Sequence, residues 1–370
     1  MKILALEPYY GGSHRAFLDG WIQHSRHAWT ALTLPAYKWK WRMRHAAITF
    51  ASQIEKLAAN GQEWDLLITS DMLDLATLLG MTARSIRTIP RVVYFHENQL
   101  TYPFTTRDER DHHFGFTNFT TALAADAVWF NSRFHLEAFY AALRKWLLKM
   151  PDHRPEREIE LAEHKSSVQP PGVDVPSAAS SRPDGPLRIL WAARWEHDKN
   201  PETFFEALEK LDALDMDFRL DVIGESFRQT PPVFHRARTR FAHRVDRWGY
   251  QPTRQLYQQA LKAADVFVST ANHEFFGIAA VEAIAAGAYP LLPRRLAYPE
   301  VLAAVASSER GAFFYDGDPS NLARQLAELA NRQAVGESLR EAARVARAAV
   351  APFRWPTRAR AMDDELQTLA

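Results

Sequence analysis

Apolar side chains in this chain cluster into short continuous runs rather than alternating with polar ones. In the first half these runs are Lys2–Glu7, Trp64–Ser70, Arg91–Phe95 and Ala125–Phe130. In the second half they are Leu187–Ala192, Arg219–Ile223, Val245–Tyr250, Ala264–Thr270 and Leu291–Pro293. Unalternated runs of this length mark strands buried on both faces of a parallel sheet. Helix-forming segments separate them: one begins near Ser13, one follows Arg133, and Ile278–Ala286 is Ala-rich and stops at Gly287. The repeated strand–helix order predicts an α/β chain with parallel sheets.

The 370 residues suffice for two domains, each with its own core. Val175–Pro186, rich in Pro, Ser and Ala, reads as the linker between them. The expected division is residues 1–174, a linker at 175–186, a second domain at 187–352, and a closing segment at 353–370. Two Rossmann-like domains facing across a cleft follow from this order. Met150–Val168 is charged and carries Pro151 and Pro155, which reads as a surface excursion.

Composition removes several classes. The chain has no cysteine, so disulfides and thiolate metal sites are excluded, as fits a reducing cytosol. Its apolar opening breaks at Pro8, too short for a signal peptide or membrane span, so a cytoplasmic protein is expected. A net charge of +1 leaves any nucleic-acid signal to local clusters. His112 and His113 are adjacent, and on a helix such neighbours diverge by about 100°, so no zinc site is expected there.

The chemistry gathers at the ends of the predicted strands, where parallel sheets bind ligands. His273–Gly287, HEFFGIAAVEAIAAG, follows one strand and opens one helix. The amides around Phe276, Gly277 and Ile278 lie at that helix N-terminus, which suits an anion. Glu274 stands at its mouth and Glu282 lies eight residues on. Held phosphate and two carboxylates for hydroxyls together suit a nucleotide sugar, although a Glu pair on a helix is equally an ordinary charged surface. Arg194 and Lys199 precede Pro201 in a loop and can clamp a pyrophosphate or simply face solvent. Gly224, in the turn Gly224–Ser226, is placed to line a nucleotide base.

Gly11 and Gly12, between a strand and a helix, admit close backbone approach to phosphate or sugar, or make a plain turn. His96, Glu97 and Asn98 form a polar cluster after the Arg91–Phe95 strand, with His96 able to contact a sugar hydroxyl or phosphate and move protons. Asn131–Ser132 reads as a helix cap. Pro35–His45 interleaves Lys38, Lys40, Arg42 and Arg44 with Trp39 and Trp41. Cations and rings suit a nucleic-acid surface. A half-buried strand gives the same alternation, and the stretch shows no clear helical apolar face.

The Glu pair with seven residues between, Phe-Gly after the first and Glu-Ala-Ile-Ala-Ala-Gly at the second, resembles the retaining glycosyltransferases of the GT-B fold. HENQLTYP, the GGSH loop, KWKWRMR and RWEHDKNP narrow the resemblance to the tRNA-queuosine alpha-mannosyltransferase family, over nearly the whole chain. The resemblance implies transfer of mannose from GDP-mannose to the cyclopentenediol of queuosine in the anticodon of a tRNA-Asp-type tRNA. It puts Glu274 by the transferred sugar, Glu282 on the ribose, and Arg194 with Lys199 on the diphosphate. It implies that Gly11 and Gly12 reach the donor sugar, that His96 contacts sugar and phosphate, and that the closing helix, expected from about Thr357, packs back on the first domain. Residues 1–174 then hold the tRNA through Lys38–Arg44, Glu97 and Asn98. Neither metal nor cofactor is implied, and no membrane. A lipid or polysaccharide acceptor, a glycoside hydrolase using the two glutamates, and a catalytically silent RNA-binding protein remain as alternatives.

Overall fold

Two sheets, each of six strands paired only in parallel, organise the computed structural model, which describes residues 1–82, 86–103, 111–175, 185–226 and 230–369. The chain divides into one unit of Met1–Gly172 with Trp355–Ala370, and another of Val173–Arg354. Most of the expected linker, 176–184, lies outside the described residues.

In the first unit the strands are β1 (Lys2–Tyr10), β2 (Ala28–Pro35), β3 (Leu66–Ser70), β4 (Arg91–Phe95), β5 (Ala127–Phe130) and β6 (Ser166–Val168), ordered β2-β1-β3-β4-β5-β6. Leu4 pairs with Leu67 and Ile68 with Val92, so the predicted apolar runs form the sheet's centre. One expectation fails at its edges, and one open alternative is decided. Met150–Val168 is no surface excursion: it contains the helix Glu156–His164, which buries Ile159 and Ala162, and then edge strand β6. The basic–aromatic stretch is not a strand either. β2 ends at Pro35, Lys38 turns left-handed at φ 48°, and Trp39–Ala59 is a helix. Its buried stripe is Met43, Ala46, Ala47, Phe50, Ala51 and Ile54, mostly beyond the seven-residue basic–aromatic run, so the helical face is visible only over a longer window. Each large apolar member buried there contributes about 2 kcal/mol.

The closing helix, Trp355–Leu369, belongs to this first unit. Trp355 packs against Gly20, and Asp363, 1% exposed, accepts hydrogen bonds from Trp21 Nε1 (2.8 Å), Ser25 Oγ (2.9 Å) and the Arg26 amide (2.8 Å). A buried carboxylate with three donors is an anchor that a purely apolar contact would not orient.

The second unit holds β7 (Leu187–Ala192), β8 (Phe218–Ile223), β9 (Val245–Gly249), β10 (Val266–Val268), β11 (Tyr289–Pro293) and β12 (Phe314–Tyr315), ordered β12-β11-β10-β7-β8-β9. Strand order reverses beside β1 and β3 in one sheet and beside β7 and β10 in the other. Ligands bind outside the carboxyl ends of strands at such switch points.

Candidate functional site

In the second unit the carboxyl ends of β7 and β10 bring Lys199 and Glu274 together. The helix Ile278–Ala285 starts directly after the β10 loop, with Gly277 as N-cap at φ +90°. A Cβ at Gly277 would lie 2.8 Å from a ring carbon of Tyr298, and its φ is one that side-chain-bearing residues avoid. Glu274 folds back so that Oε1 accepts from the Gly277 amide at 3.2 Å. Its Oε2 lies 3.3 Å from Lys199 Nζ. Lys199, in the turn His197–Lys199, is 8% exposed; Nζ also donates to the His273 carbonyl at 2.7 Å and lies 3.0 Å from Asp198 Oδ2.

These contacts set the charges. Burial alone would raise the Glu274 carboxyl and lower the Lys199 amine. Their mutual attraction, with Asp198 and His273 adding to it, outweighs burial, so Glu274 falls below its ordinary value and Lys199 rises. Burial and the Lys199 charge push His273 down to about 4. Lys199, Glu274, Gly277 and Tyr298 line a cavity of about 20 Å³, room for one water.

Glu282 is 4% exposed on the same helix and is held from the helix Arg254–Ala263: Arg254 donates to Oε1 and Tyr257 Oη to Oε2, both at 2.7 Å. Burial raises its carboxyl against the pull of Arg254. Thus sequence reasoning found both glutamates but missed Asp198, Arg254 and Tyr257. The last two lie at i and i+3 on an unremarkable amphipathic helix, and nothing local marks them.

The remaining expected donor residues lie around this helix and the β7 end. Arg194 has its guanidinium 3.3 Å from Glu196 and about half exposed, while Lys199 is buried, and the Arg194 charge is felt at both Lys199 and Glu274. The Phe276 side chain is core, 4% exposed and edge-on to Phe353 at 5.2 Å, so only its backbone remains for a ligand. Ile278 opens the helix half-buried. Gly224 lets β8 approach β7, since a Cβ there would lie 1.7 Å from the Ala193 carbonyl oxygen.

In the first unit, Gly11 and Gly12 carry β1 into the helix Gly12–His24 with Gly11 as N-cap, and the helix's first turn delivers His14. His14 is 6% exposed, and its Nδ1 lies 3.2 Å from Glu7 Oε2. Glu7 is fixed by Ser70 Oγ at 3.0 Å and the Tyr9 amide at 2.8 Å. His96, after β4, lies against His14 with ring centroids 4.0 Å apart and 35° between planes. Its amide donates to Asp71 Oδ1 at 2.9 Å, and the other Asp71 oxygen is buried with no hydrogen-bond partner among the described residues. Burial opposes charge on His14, yet Glu7 with Asp71 and Glu97 raises it to about 9. Burial, then His14 and His135, drive His96 well below its ordinary value, and burial raises Asp71 against the pull of His14. Two charged rings at this separation would repel by about 4 kcal/mol at an effective dielectric near 20, which adds to burial in keeping His96 neutral.

Among the described residues, Glu7, His14 and His96 form one group whose potential ligand atoms lie within 4.8 Å of one another. The ring centroids lie only 4.0 Å apart and His14 Nδ1 is used by Glu7. Two imidazoles converging on one ion at about 2.0–2.1 Å would hold their centroids further apart, so the arrangement suits proton sharing better than metal. The His112 ring lies flat on Trp146 at 5.4 Å and 9°.

Asn98 is not an RNA-facing group. It is 0% exposed, and Oδ1 accepts from the Leu100 and Thr101 amides at 3.1 and 2.9 Å, closing the turn after β4. Glu97 is half-buried beside Gln99 Nε2 at 3.2 Å. Trp39 packs its ring 5.1 Å from Phe114, and Arg42 Nε donates to the Pro35 carbonyl at 2.9 Å, so both are structural. Lys38, Lys40, Trp41 and Arg44 remain exposed, Trp41 at 61%. Ser132 caps its helix as expected, accepting from the His135 amide at 3.0 Å.

Residues 2–173 match the family model for the tRNA-queuosine alpha-mannosyltransferase N-terminal domain, and 176–346 match glycosyl transferases group 1. The chain is 34% identical over 311 residues to a Drosophila melanogaster tRNA-queuosine alpha-mannosyltransferase, covering 81% of each protein. It is 31% identical over 123 residues to the Xanthomonas campestris GDP-mannose:cellobiosyl-diphosphopolyprenol alpha-mannosyltransferase, covering 33% of this chain and 32% of that one. Sucrose-phosphate synthase from Thermosynechococcus elongatus superposes with a TM-score of 0.72 at 16% identity, covering 100% of this chain and 99% of the other. That likeness, with the two six-stranded parallel sheets, establishes the GT-B fold. Among the described residues, no helix is long and apolar enough to cross a membrane.

Proposed function

The chain belongs to the tRNA-queuosine alpha-mannosyltransferase family, and on that premise we propose that it moves mannose from GDP-mannose to the cyclopentenediol of queuosine in a tRNA anticodon. The observation that carries this reading is the 34% identity to the Drosophila enzyme across 81% of both chains. The donor assignment is supported by the Xanthomonas enzyme, whose name specifies GDP-mannose, and by a nucleotide-sugar-like constellation at the second sheet's switch point.

In this reading Glu274 orients the mannose by its hydroxyls and Glu282, preset by Arg254 and Tyr257, takes the ribose. Developing charge on the GDP leaving group meets Lys199, Arg194 and the first amides of the helix Ile278–Ala285, a positive terminus in place of a divalent ion. The bond from the sugar's anomeric carbon to the phosphate oxygen breaks as the diol oxygen attacks the same face. The departing phosphate oxygen takes the hydroxyl proton, so configuration is retained and the protons balance. His96 contacts the sugar. The exposed Lys38, Lys40, Trp41 and Arg44 contact the RNA by charge and stacking.

The test is incubation of purified protein with GDP-mannose and total tRNA, with and without queuosine, followed by mass analysis of the digested nucleosides. A hexose gained on queuosine alone establishes donor, acceptor and class. No product from GDP-mannose, with GDP still bound, overturns the acceptor and redirects the search to lipid or glycan.

A further inference from the structure

The roles above use His96 and leave the buried pair behind it unexplained. We propose that His14 is a positioning residue for the transfer reaction: an imidazolium paired with Glu7 and packed at a tilt against His96, it keeps the His96 ring neutral and fixed in orientation. The inference deepens the reading above and rests on His96 facing the reacting sugar.

Every element packed around His14 contributes to this state. From β1 come Glu7 and Tyr9, the Tyr9 ring edge-on at 5.9 Å. The turn after β3 supplies Asp71, and the segment after β4 supplies His96 and Glu97. Across His96 stand Tyr94 at 4.7 Å and Phe17 at 4.9 Å, which clamp the ring, with His135 facing it electrostatically. Glu7 cannot turn away, because Ser70 and the Tyr9 amide hold its Oε1 while Oε2 faces His14. A helix N-terminus disfavours a cation at His14, so the surrounding carboxylates are what keep it charged. The consequence is chemical: a neutral His96 offers hydroxyls one donor and one acceptor nitrogen, whereas an imidazolium offers two donors and favours phosphate.

The first measurement is an NMR titration of the histidine rings in the ligand-free full chain, between about pH 5 and 10. His14, assigned by its loss in His14→Gln, is expected to stay charged to about 9. In Glu7→Gln its titration should fall by about one unit or more. His14→Gln should raise the His96 titration toward its ordinary value. The second measurement is the pH profile of kcat for transfer, which should have an alkaline limb that moves to lower pH in Glu7→Gln while donor KM stays constant. A His14 that titrates near 6.5, a His96 signal indifferent to His14→Gln, or an alkaline limb unmoved by Glu7→Gln overturns the proposal. If the native chain transfers nothing to queuosine, the acceptor assignment fails, and the titration still decides the histidine pair.

Discussion

Lys199 Nζ stands 3.3 Å from Glu274 Oε2, the longest of three contacts; it also donates to the His273 carbonyl and lies 3.0 Å from Asp198 Oδ2. A diphosphate arriving at Lys199 is expected to compete with Glu274, which makes the longest of these contacts. Donor loading would then free Glu274 for the sugar. Removing the lysine should be costly in itself: Lys199→Ala strands two acidic neighbours and is expected to destabilise the protein by about 3–5 kcal/mol in urea unfolding. Adding Glu274→Ala should restore part of that loss, and strictly additive effects would show the pair to be uncoupled.

Glu274→Ala should separate chemistry from binding. We expect kcat for transfer to fall by about 10²–10³, with GDP affinity unchanged or tighter because Lys199 is released. Calorimetric GDP titration beside the transfer assay checks this; an equal loss in both would reverse the roles given to the two glutamates.

Glu282→Ala should do the opposite. It removes a ribose partner and leaves Arg254 and Tyr257 without their acceptor, so GDP binding should weaken about tenfold or more. Tyr257→Phe, which deletes a single 2.7 Å hydrogen bond, should cost roughly fivefold. Unaltered GDP affinity in both variants would place the ribose elsewhere.

The buried histidine cluster gives stability a pH dependence of definite sign. His14 has a folded pKa raised from 6.5 to about 9, so its contribution is complete below 6.5 and is lost as pH rises through about 9. Asp71, also raised, adds in the same direction. His273 is depressed to about 4, so its contribution is present above 6.5 and lost as pH falls through about 4. Thermal unfolding should therefore show a lower Tm at about pH 9 than at about pH 7, with a smaller difference in Glu7→Gln. A flat alkaline side would contradict the charged His14.

On the RNA side, Trp41→Ala should weaken tRNA binding by about 1–3 kcal/mol if its exposed ring stacks on a base. Lys40→Ala should reduce the salt dependence by about one phosphate contact. Neither should alter the KM for GDP-mannose. Filter binding over a salt series reads both, and unchanged tRNA affinity in the two variants would move the RNA surface off this helix.

Local pattern located the central strands because burial on both faces writes itself as a continuous apolar run. Glu274, Gly277 and Glu282 were legible for a related reason, since one strand end and one helix carry all three. The edge strands β2 and β6 were missed: half-buried edges lack that run, and their pairing energy comes from neighbours. The first turn of Trp39–Ala59 stayed ambiguous in the sequence because aromatic–basic alternation over seven residues mimics a strand before the helical stripe begins.

The sequence by itself determined the α/β class, the parallel sheets and the residue types that gather at their carboxyl ends. It could not decide which of those residues meet. Lys199 with Glu274, Glu282 with Arg254 and Tyr257, and Glu7 with His14 and His96 are juxtaposed by strand order and helix packing. Their charge states follow from burial and from distances of about 3 Å between residues as many as 75 apart in the chain. Such distances exist only once the chain has folded, so tertiary structure alone turned Asn98 into a turn, Lys199 into a buried cation between two carboxylates and His14 into the partner of His96.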